Sequence, residues 1–593
     1  MDKKVRYFFI LFLIAVIFFS FSIDIAKRQR FGFFSDESSY FSVIQSLAFD
    51  YDLEYKRKDI NRIREYFPGG PMGLFLKKTK DGKIFFAKSY IYPLFVAPFF
   101  RVFGLNGILL FNGLLVFFAV FMGYKLLNSY HSEVNSLIFS SGFVLATVLP
   151  IYIWWMTADL FNFFVLFAAL FFFFYPFKNK YLFFISPFFF SLSALSKPYN
   201  VFAIGIIYLI LLYRKEWKKF IIISIMSIIL FGVMSGFYCY QTGEWNYKLF
   251  MGGNRKAFHG KYPFEFPEDK EGNIMKGVTV KPYSFEDGFK MSFDDYWERF
   301  YISPKVIILN LFYFIFGRFT GIFIYFFPAV FVFLLFFFQR KVPSDIFVLL
   351  SICVGVLTYL ILAPDNYFGG SGSVGNRYFL NIFPLFFFLG FKKRIFKFSL
   401  LPFIIALVFL SGTYVDANHR SSYARYTGIS FPVSLFPPEK TQYDKLPTNE
   451  NPRAFGKYIS FSNRQGQPVK YWIYFLNDNY HKVEENKFWT NADSRLEFFL
   501  ATKKPVKKFY VRLWSKIKRN KFSFRIENKT IEGKTGNGFV EICFKNIKGL
   551  KMKNRFVYYL SVKSDNWISP RFEHNPKDDK RKLGVFSLIE PVY

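Results

Sequence analysis

"KKVRYFFILFLIAVIFFSFS", Lys3 to Ser22, decides what kind of protein this is. Lys3, Lys4 and Arg6 stand ahead of roughly 17 apolar residues, enough for one helical crossing of a bilayer. The residues that follow, "IDIAKRQR", offer no small-residue cleavage site, so the stretch is expected to remain as an anchor. Its basic start belongs on the cytoplasmic side and its far end outside the cytoplasm.

Outward from that segment the same signature recurs. Of 593 residues 52% are hydrophobic and 91 are Phe, and the apolar residues come in blocks rather than at amphipathic spacing. Such blocks predict a polytopic α-helical membrane protein. Further spans are expected near 105–124, 134–153, 160–177, 181–196, 201–213, 220–239, 319–338, 346–363, 378–390 and 398–415, about eleven with the first. Charge sets their direction: "KNK", "RKEWKK", "QRK" and "FKKRIFK" fall in one set of loops, as cytoplasmic loops require. Asp36, Glu37, Asp159 and Asp365 then fall on the extracytoplasmic face, as do the long polar segments 24–89, 241–303 and everything after 415. The expectation is a multi-pass protein of the cytoplasmic membrane with its N-terminus inside.

From residue 416 the pattern changes. "KYWIYFLND", "KKFYVRLW", "KFSFRIEN" and "RFVYYLSVK" alternate polar and β-favouring residues between Gly, Asn, Asp and Pro. A membrane domain, 1–415, is therefore expected to precede a β-rich extracytoplasmic domain, 416–593. Trp472, Trp489 and Trp514 read first as core aromatics of a β-sandwich, with glycan stacking as the alternative.

Composition removes several functions. The formal net charge of +35 is spread over short loops and the polar tail without a nucleic-acid-binding motif, so it speaks of orientation and of affinity for anionic lipid or lipid-linked phosphate. Cys239, Cys353 and Cys543 are too scattered for a disulfide framework or thiol metal site, and the five His have no metal-ligand spacing. "GGSGSVG" lacks the GK[ST] of a P-loop. With no nucleotide fingerprint, a lipid-linked sugar donor is favoured over a sugar nucleotide.

"FFSDESSYF", Phe33 to Phe41, sets Asp36 and Glu37 side by side just past the first span. Acids suit a helix N-terminus whatever they do, so the doublet alone carries little. Its company carries more: Lys88 closes the same outer loop, and Asp159 in "WWMTADLFNFF" opens a later span. Charges at the membrane edge are costly and normally pair or line a cavity. Carboxylates beside cations suit transfer from a lipid phosphate, the acid taking the proton of the acceptor and the cations stabilising the departing phosphate. Asp36, Glu37 and Asp159 could also hold Mg2+ or Mn2+, although nothing in the sequence requires a cofactor. Arg318 in "FGRFTG" and Arg377 in "GGSGSVGNRYF" lie beside glycines, which let a backbone approach a ligand while an Arg fork grips phosphate; lipid-headgroup anchoring is the alternative.

Together "SDESSY", "AKSYIYPLFVAPFFRVFG", "TADLF" and "LSALSKPYN" resemble the GT-C glycosyltransferases, most closely the bacterial relatives of protein O-mannosyltransferase and aminoarabinose transferase. The resemblance covers the membrane part, about two thirds of the chain. It implies a polyprenyl-phosphate-sugar donor and an extracytoplasmic acceptor. It also implies Asp36, with Glu37 beside it, as catalytic base or acceptor-orienting residue, Asp159 as the second-loop acid, and Lys88 and Lys197 near the donor phosphate. The single Pro93, displaced from Lys88, departs from the family's usual Lys-Pro-Pro. Two rivals stay open: a surface-polysaccharide polymerase or ligase using a lipid-pyrophosphate donor through its arginines, and a non-enzymatic lipid or glycan exporter.

Overall fold

The computed structural model describes residues 2–28, 33–68, 71–78 apart from 73, 83–243, 256–258, 304–338, 341–390 apart from 371, 399–448 apart from 423, 459–461, 471–481, 487–566 apart from 492, 493, 518, 537 and 553, and 583–593. Most of the expected outer loop 241–303 lies outside the described residues. The chain divides into two compact units. One is Met1–Phe316, Thr320–Gly369 and Val374–Ser422; the other is Gly317–Phe319, Gly370–Ser373 and Tyr423–Tyr593.

The first unit is helical. Among the described residues four helices are long and apolar enough to cross a membrane: Lys3–Ser22, Leu105–Leu127, Trp217–Thr242 and Pro343–Leu362. Of the others, 160–177, 201–213 and 398–415 are single but shorter helices, Asp159–Phe174, Asn200–Tyr213 and Leu401–Val415, and three are interrupted. The 134–153 run is helical over Glu133–Leu145, then turns and resumes as the 3-10 segment Leu149–Trp154. The 319–338 run breaks into Ile322–Tyr325 and Phe327–Phe337, and 378–390 into the 3-10 segment Arg377–Asn381 and Phe383–Gly390. Pro150, Pro328 and Pro384 stand at or next to the resumed segments, where a residue without an N–H is tolerated. Hydropathy registers apolar length but not such interruptions, so the eleven-span count overstates the uninterrupted helices. Ile91–Phe103 is one helix with Pro98 inside it, and Pro304–Phe316 is a further apolar helix.

Packing explains the helical order. Leu105–Leu127 touches Lys3–Ser22, Ile91–Phe103, Glu133–Leu145 and Asp159–Phe174. It approaches them over small residues: a Cβ on Gly113 would lie 2.7 Å from Val16 Cγ1, and one on Gly123 would lie 2.5 Å from Ser140 Oγ and 3.1 Å from Phe387 Cζ. Where lipid removes most of the hydrophobic drive between helices, such close contact holds them together. Phenylalanines interlock the rest. Phe143 stacks on Phe383 at 4.3 Å, Phe163 meets Phe383 at 5.7 Å, and Phe167 meets Phe387 at 5.1 Å, each pair worth about 0.5–1.5 kcal/mol beyond area burial.

The second unit is a β-sandwich. One sheet is antiparallel in the order Val540–Lys545, Lys508–Trp514, Leu583–Val592, Lys487–Asn491. The other runs Lys529–Lys534, Lys521–Ile526, Arg555–Ser564, Arg495–Thr502, Tyr471–Phe475, Ile459–Phe461, with Leu550–Met552 beside Arg555–Ser564. Alternation aims Phe509, Val511, Leu513 and Val585 from the first sheet at Phe498, Leu500, Phe524 and Leu560 from the second. The larger sheet is covered on its outer face too, for Glu497, Phe499 and Ala501 are buried along with their inward neighbours.

Glu497 shows what covers that face. Arg318 donates to its carboxylate from Nη1 and Nη2, at 2.6 and 3.1 Å, and from Nε to Phe436 O at 2.8 Å. The Tyr559 hydroxyl adds a third hydrogen bond to Glu497, at 2.5 Å. Burial opposes the charge, but these donors outweigh it and hold the Glu497 carboxyl below the usual carboxylate range.

Two outcomes are expected. Gly123→Val should destabilise the helical unit by about 1–3 kcal/mol through overpacking, read as a lower melting temperature in detergent, whereas Gly232→Val, whose Cβ meets open space, should not. Glu497→Gln should destabilise the β unit by about 3–5 kcal/mol by leaving Arg318 buried and unbalanced, read by hydrogen exchange of Arg495–Thr502. Because the folded carboxyl titrates below its unfolded value of about 4.3, its stabilisation is whole at neutral pH and disappears as pH falls through the lower, folded value.

Candidate functional site

Three helix beginnings are brought together in the first unit. Ser35–Phe49 carries Asp36 and Glu37 in its first turn, and Asp159–Phe174 opens on Asp159. The 3-10 segment Arg377–Asn381 is capped by Asn376, whose Oδ1 accepts from Phe379 N at 3.1 Å. Exposed N–H groups at a helix start favour an acid there, which explains where the acids sit but not why they converge. Lys88 arrives from the short link between strand Ile84–Phe86 and helix Ile91–Phe103.

The geometry is a shared carboxylate. Lys88 Nζ lies 2.6 Å from Asp36 Oδ1, and Arg377 Nη1 lies 2.8 Å from Asp36 Oδ2, so each oxygen has its own cation. The same Nη1 is 3.9 Å from Asp159 Oδ2, which also accepts from Thr157 Oγ1 at 2.9 Å. Glu37 Oε1 accepts from Met156 N at 3.2 Å, tying the first helix to the segment ahead of Asp159. All four charged side chains are largely withdrawn from solvent: Asp36 keeps 16% of its side-chain exposure, Lys88 11%, Arg377 14% and Asp159 5%. In such surroundings each pairing counts for more than it would in water.

Local structure fixes Arg377. Its N–H donates to Phe368 O at 3.1 Å. Gly369 has φ +99°, and a Cβ there would lie 2.5 Å from both Arg377 Cγ and Nε. Gly369 thus makes room for the arginine. Arg377 Nε is buried without a hydrogen-bond partner among the described residues, leaving a donor for an oxygen-rich ligand. Lys197 Nζ sits 4.8 Å from the ring centroid of Tyr378, the residue after Arg377, and Lys88 Nζ sits 4.2 Å from that of Phe75.

Six of the seven expected site residues are thus linked by this neighbourhood: Asp36, Glu37, Lys88, Asp159 and Arg377 by direct contacts, Lys197 through Tyr378. Arg318 is not. It pairs with Glu497 within the β unit; a glycine before an arginine does not tell a ligand-binding guanidinium from one buried in an ion pair. The carboxylates of Asp36, Glu37 and Asp159 do not gather as a metal-holding group among the described residues, and Lys88 and Arg377 already supply the countercharge of Asp36. The residues present therefore do not fit a resident Mg2+ or Mn2+ at this point.

Two residues of the neighbourhood were not singled out by sequence. Asn162, one turn beyond Asp159, is fully buried, accepts from Ser196 Oγ at 2.5 Å, and leaves Nδ2 without a partner among the described residues. Tyr152 donates to Val374 O at 2.8 Å, fixing the backbone ahead of Arg377. A lone amide inside the Phe-rich "DLFNFF" was the available signal for Asn162.

No family model matches this chain, and no curated protein matches it. Gly369→Ala is expected to strain the backbone at about 1–3 kcal/mol and to displace Arg377 from Asp36, lowering the melting temperature; Gly370→Ala, also at positive φ but with open space at its Cβ, separates strain from displacement.

Proposed function

We propose that the chain is an integral membrane glycosyltransferase of the GT-C type, multi-pass in the cytoplasmic membrane, with its N-terminus cytoplasmic and its β unit outside. It transfers a sugar from a polyprenyl-phosphate-linked donor to an extracytoplasmic acceptor: a lipid, a polysaccharide or a protein. The observation that carries this reading is Asp36, one carboxylate gripped by Lys88 and Arg377 from two distant segments, with Asp159 behind the arginine.

The grip suggests an exchange of partners. A phosphate brings more charge and more acceptor oxygens than a carboxylate, so a bound donor competes for Lys88 and Arg377, and the unpartnered Arg377 Nε adds a second prong of the guanidinium fork. Asp36, relieved of its cations, becomes basic enough to take the proton of an acceptor hydroxyl or amine. The acceptor atom bonds to the anomeric carbon, the bond from that carbon to the phosphate oxygen breaks, and the electron pair leaves on polyprenyl phosphate, whose charge Lys88 and Arg377 balance. Asp159 holds Arg377 in place from the other side. Glu37 fixes the Met156 backbone and so the approach to Asp159, and Lys197 adds positive charge beside Tyr378. Neither Arg318 nor a divalent cation enters the reaction. The polymerase reading, which leaned on two arginines, is weakened by the engagement of Arg318 with Glu497.

The test compares lipid-linked and surface glycans by mass spectrometry in cells with the native chain, without it, and with single variants. Asp36→Asn is expected to cut product by about 10²–10⁴-fold, the worth of a general base, with the protein's abundance in the membrane fraction unchanged. Arg377→Ala should cost about 10²–10³-fold, as loss of a charge-stabilising donor does. Undiminished product from normally abundant Asp36→Asn protein overturns the assignment.

A further inference from the structure

Outside the transfer site the most distinctive surface is the outer face of the four-stranded sheet. Register places Trp489 opposite Phe586 and Phe586 opposite Trp514, and Phe539 follows one step past the Leu513–Val540 pair. The rings touch in succession: Trp489 to Phe586 at 5.0 Å, Phe586 to Trp514 at 6.4 Å, Trp514 to Phe539 at 6.4 Å. These are not core residues, for the inward positions beside them are Phe488, Leu513 and Val585. One aromatic row thus crosses the sheet, spanning three inter-strand spacings or about 14 Å. The next row toward the other end carries Lys487, Arg512 and Glu541, with Arg512 Nε 2.7 Å from Glu541 and Arg512 Nη1 3.8 Å from Glu590 one row beyond.

We propose that this face is a glycan-binding platform, the aromatic row stacking against sugar rings and the Arg512–Glu541 row hydrogen-bonding their hydroxyls. A pyranose ring has a face of slightly positive C–H hydrogens and a rim of hydroxyls. The C–H face suits the negative face of an aromatic ring, and the rim suits a guanidinium donor beside a carboxylate acceptor. Other occupants fit less well. A protein partner needs about 800 Å² from each side, and one row of rings bounded at once by ionic pairs falls well short of that. An anionic membrane surface is not excluded by charge, since Lys487, Lys508, Arg512 and Lys545 outnumber Glu541 and Glu590 on this face, but the tryptophans lie half-buried along the sheet where insertion into headgroups would need them to project. That the ligand is a saccharide stands on the face itself; that it is the acceptor or product glycan rests on the transfer reading.

The full chain in detergent is passed over an array of immobilised linear and branched bacterial surface oligosaccharides, with vesicles of phosphatidylglycerol as a second probe. Retention of at least one oligosaccharide class is expected, weakened about tenfold by Trp514→Ala and by Trp489→Ala, partly restored in Trp514→Phe, and unchanged by Leu435→Ala, an exposed position off the platform. Arg512→Ala, at an exposed pair, should alter which oligosaccharide is retained without changing the melting temperature. Equal retention by native chain and tryptophan variants of unchanged melting temperature overturns the proposal, as does retention on vesicles alone. Asp36→Asn keeps the two readings apart: retention intact with transfer lost upholds both, whereas retention absent from the native chain while transfer proceeds removes the platform only.

Discussion

The site depends on one arrangement, the carboxylate of Asp36 divided between Lys88 and Arg377, all three side chains largely withdrawn from solvent. Two cations around one acid would be unremarkable at a solvated surface, where screening reduces such pairs to a few tenths of a kcal/mol. Here all partners are withdrawn from solvent, so removing one leaves a buried charge unbalanced. Strong pairing holds the three side chains against one another.

The surrounding helices can be understood as the means of holding that arrangement. Close approach at Gly113 and Gly123 draws the hub helix against its neighbours, and stacked phenylalanines lock the helices that flank Asp159 and follow Arg377. The interruptions at prolines serve the same end. A continuous span through 378–390 would carry Arg377 in a regular helix; the 3-10 start, capped by Asn376 and backed by Gly369, gives its side chain a separate bearing toward Asp36.

Arg318 and Arg377 are instructive as a pair. Both follow Gly-bearing segments and precede an aromatic residue, and both are buried or nearly so. Arg377 meets two acids of the helical unit and keeps a spare donor, while Arg318 spends its guanidinium on Glu497 and Phe436 of the β unit. Local context cannot separate them, because what distinguishes an arginine that keeps a spare donor from one fully engaged is the identity of the distant partner.

The sequence by itself determined the material of the fold. Long Phe-, Leu- and Ile-rich runs require helices that bury their own backbone groups, and period-two alternation in stretches such as "KKFYVRLW" and "KFSFRIEN" requires sheets, whereas 417–442 folds into short helical segments. It also exposed Asp36, Glu37, Lys88 and Asp159, because charge beside a membrane span is too costly to be idle. Only the tertiary structure decided which charges meet. It brought Arg377 to Asp36 across more than three hundred residues of chain, sent Arg318 to Glu497, and turned Trp489 and Trp514 out of the core into a row with Phe586. Composition and periodicity record what each segment can bury, whereas a site is made by contacts between segments whose spacing along the chain carries no trace of them.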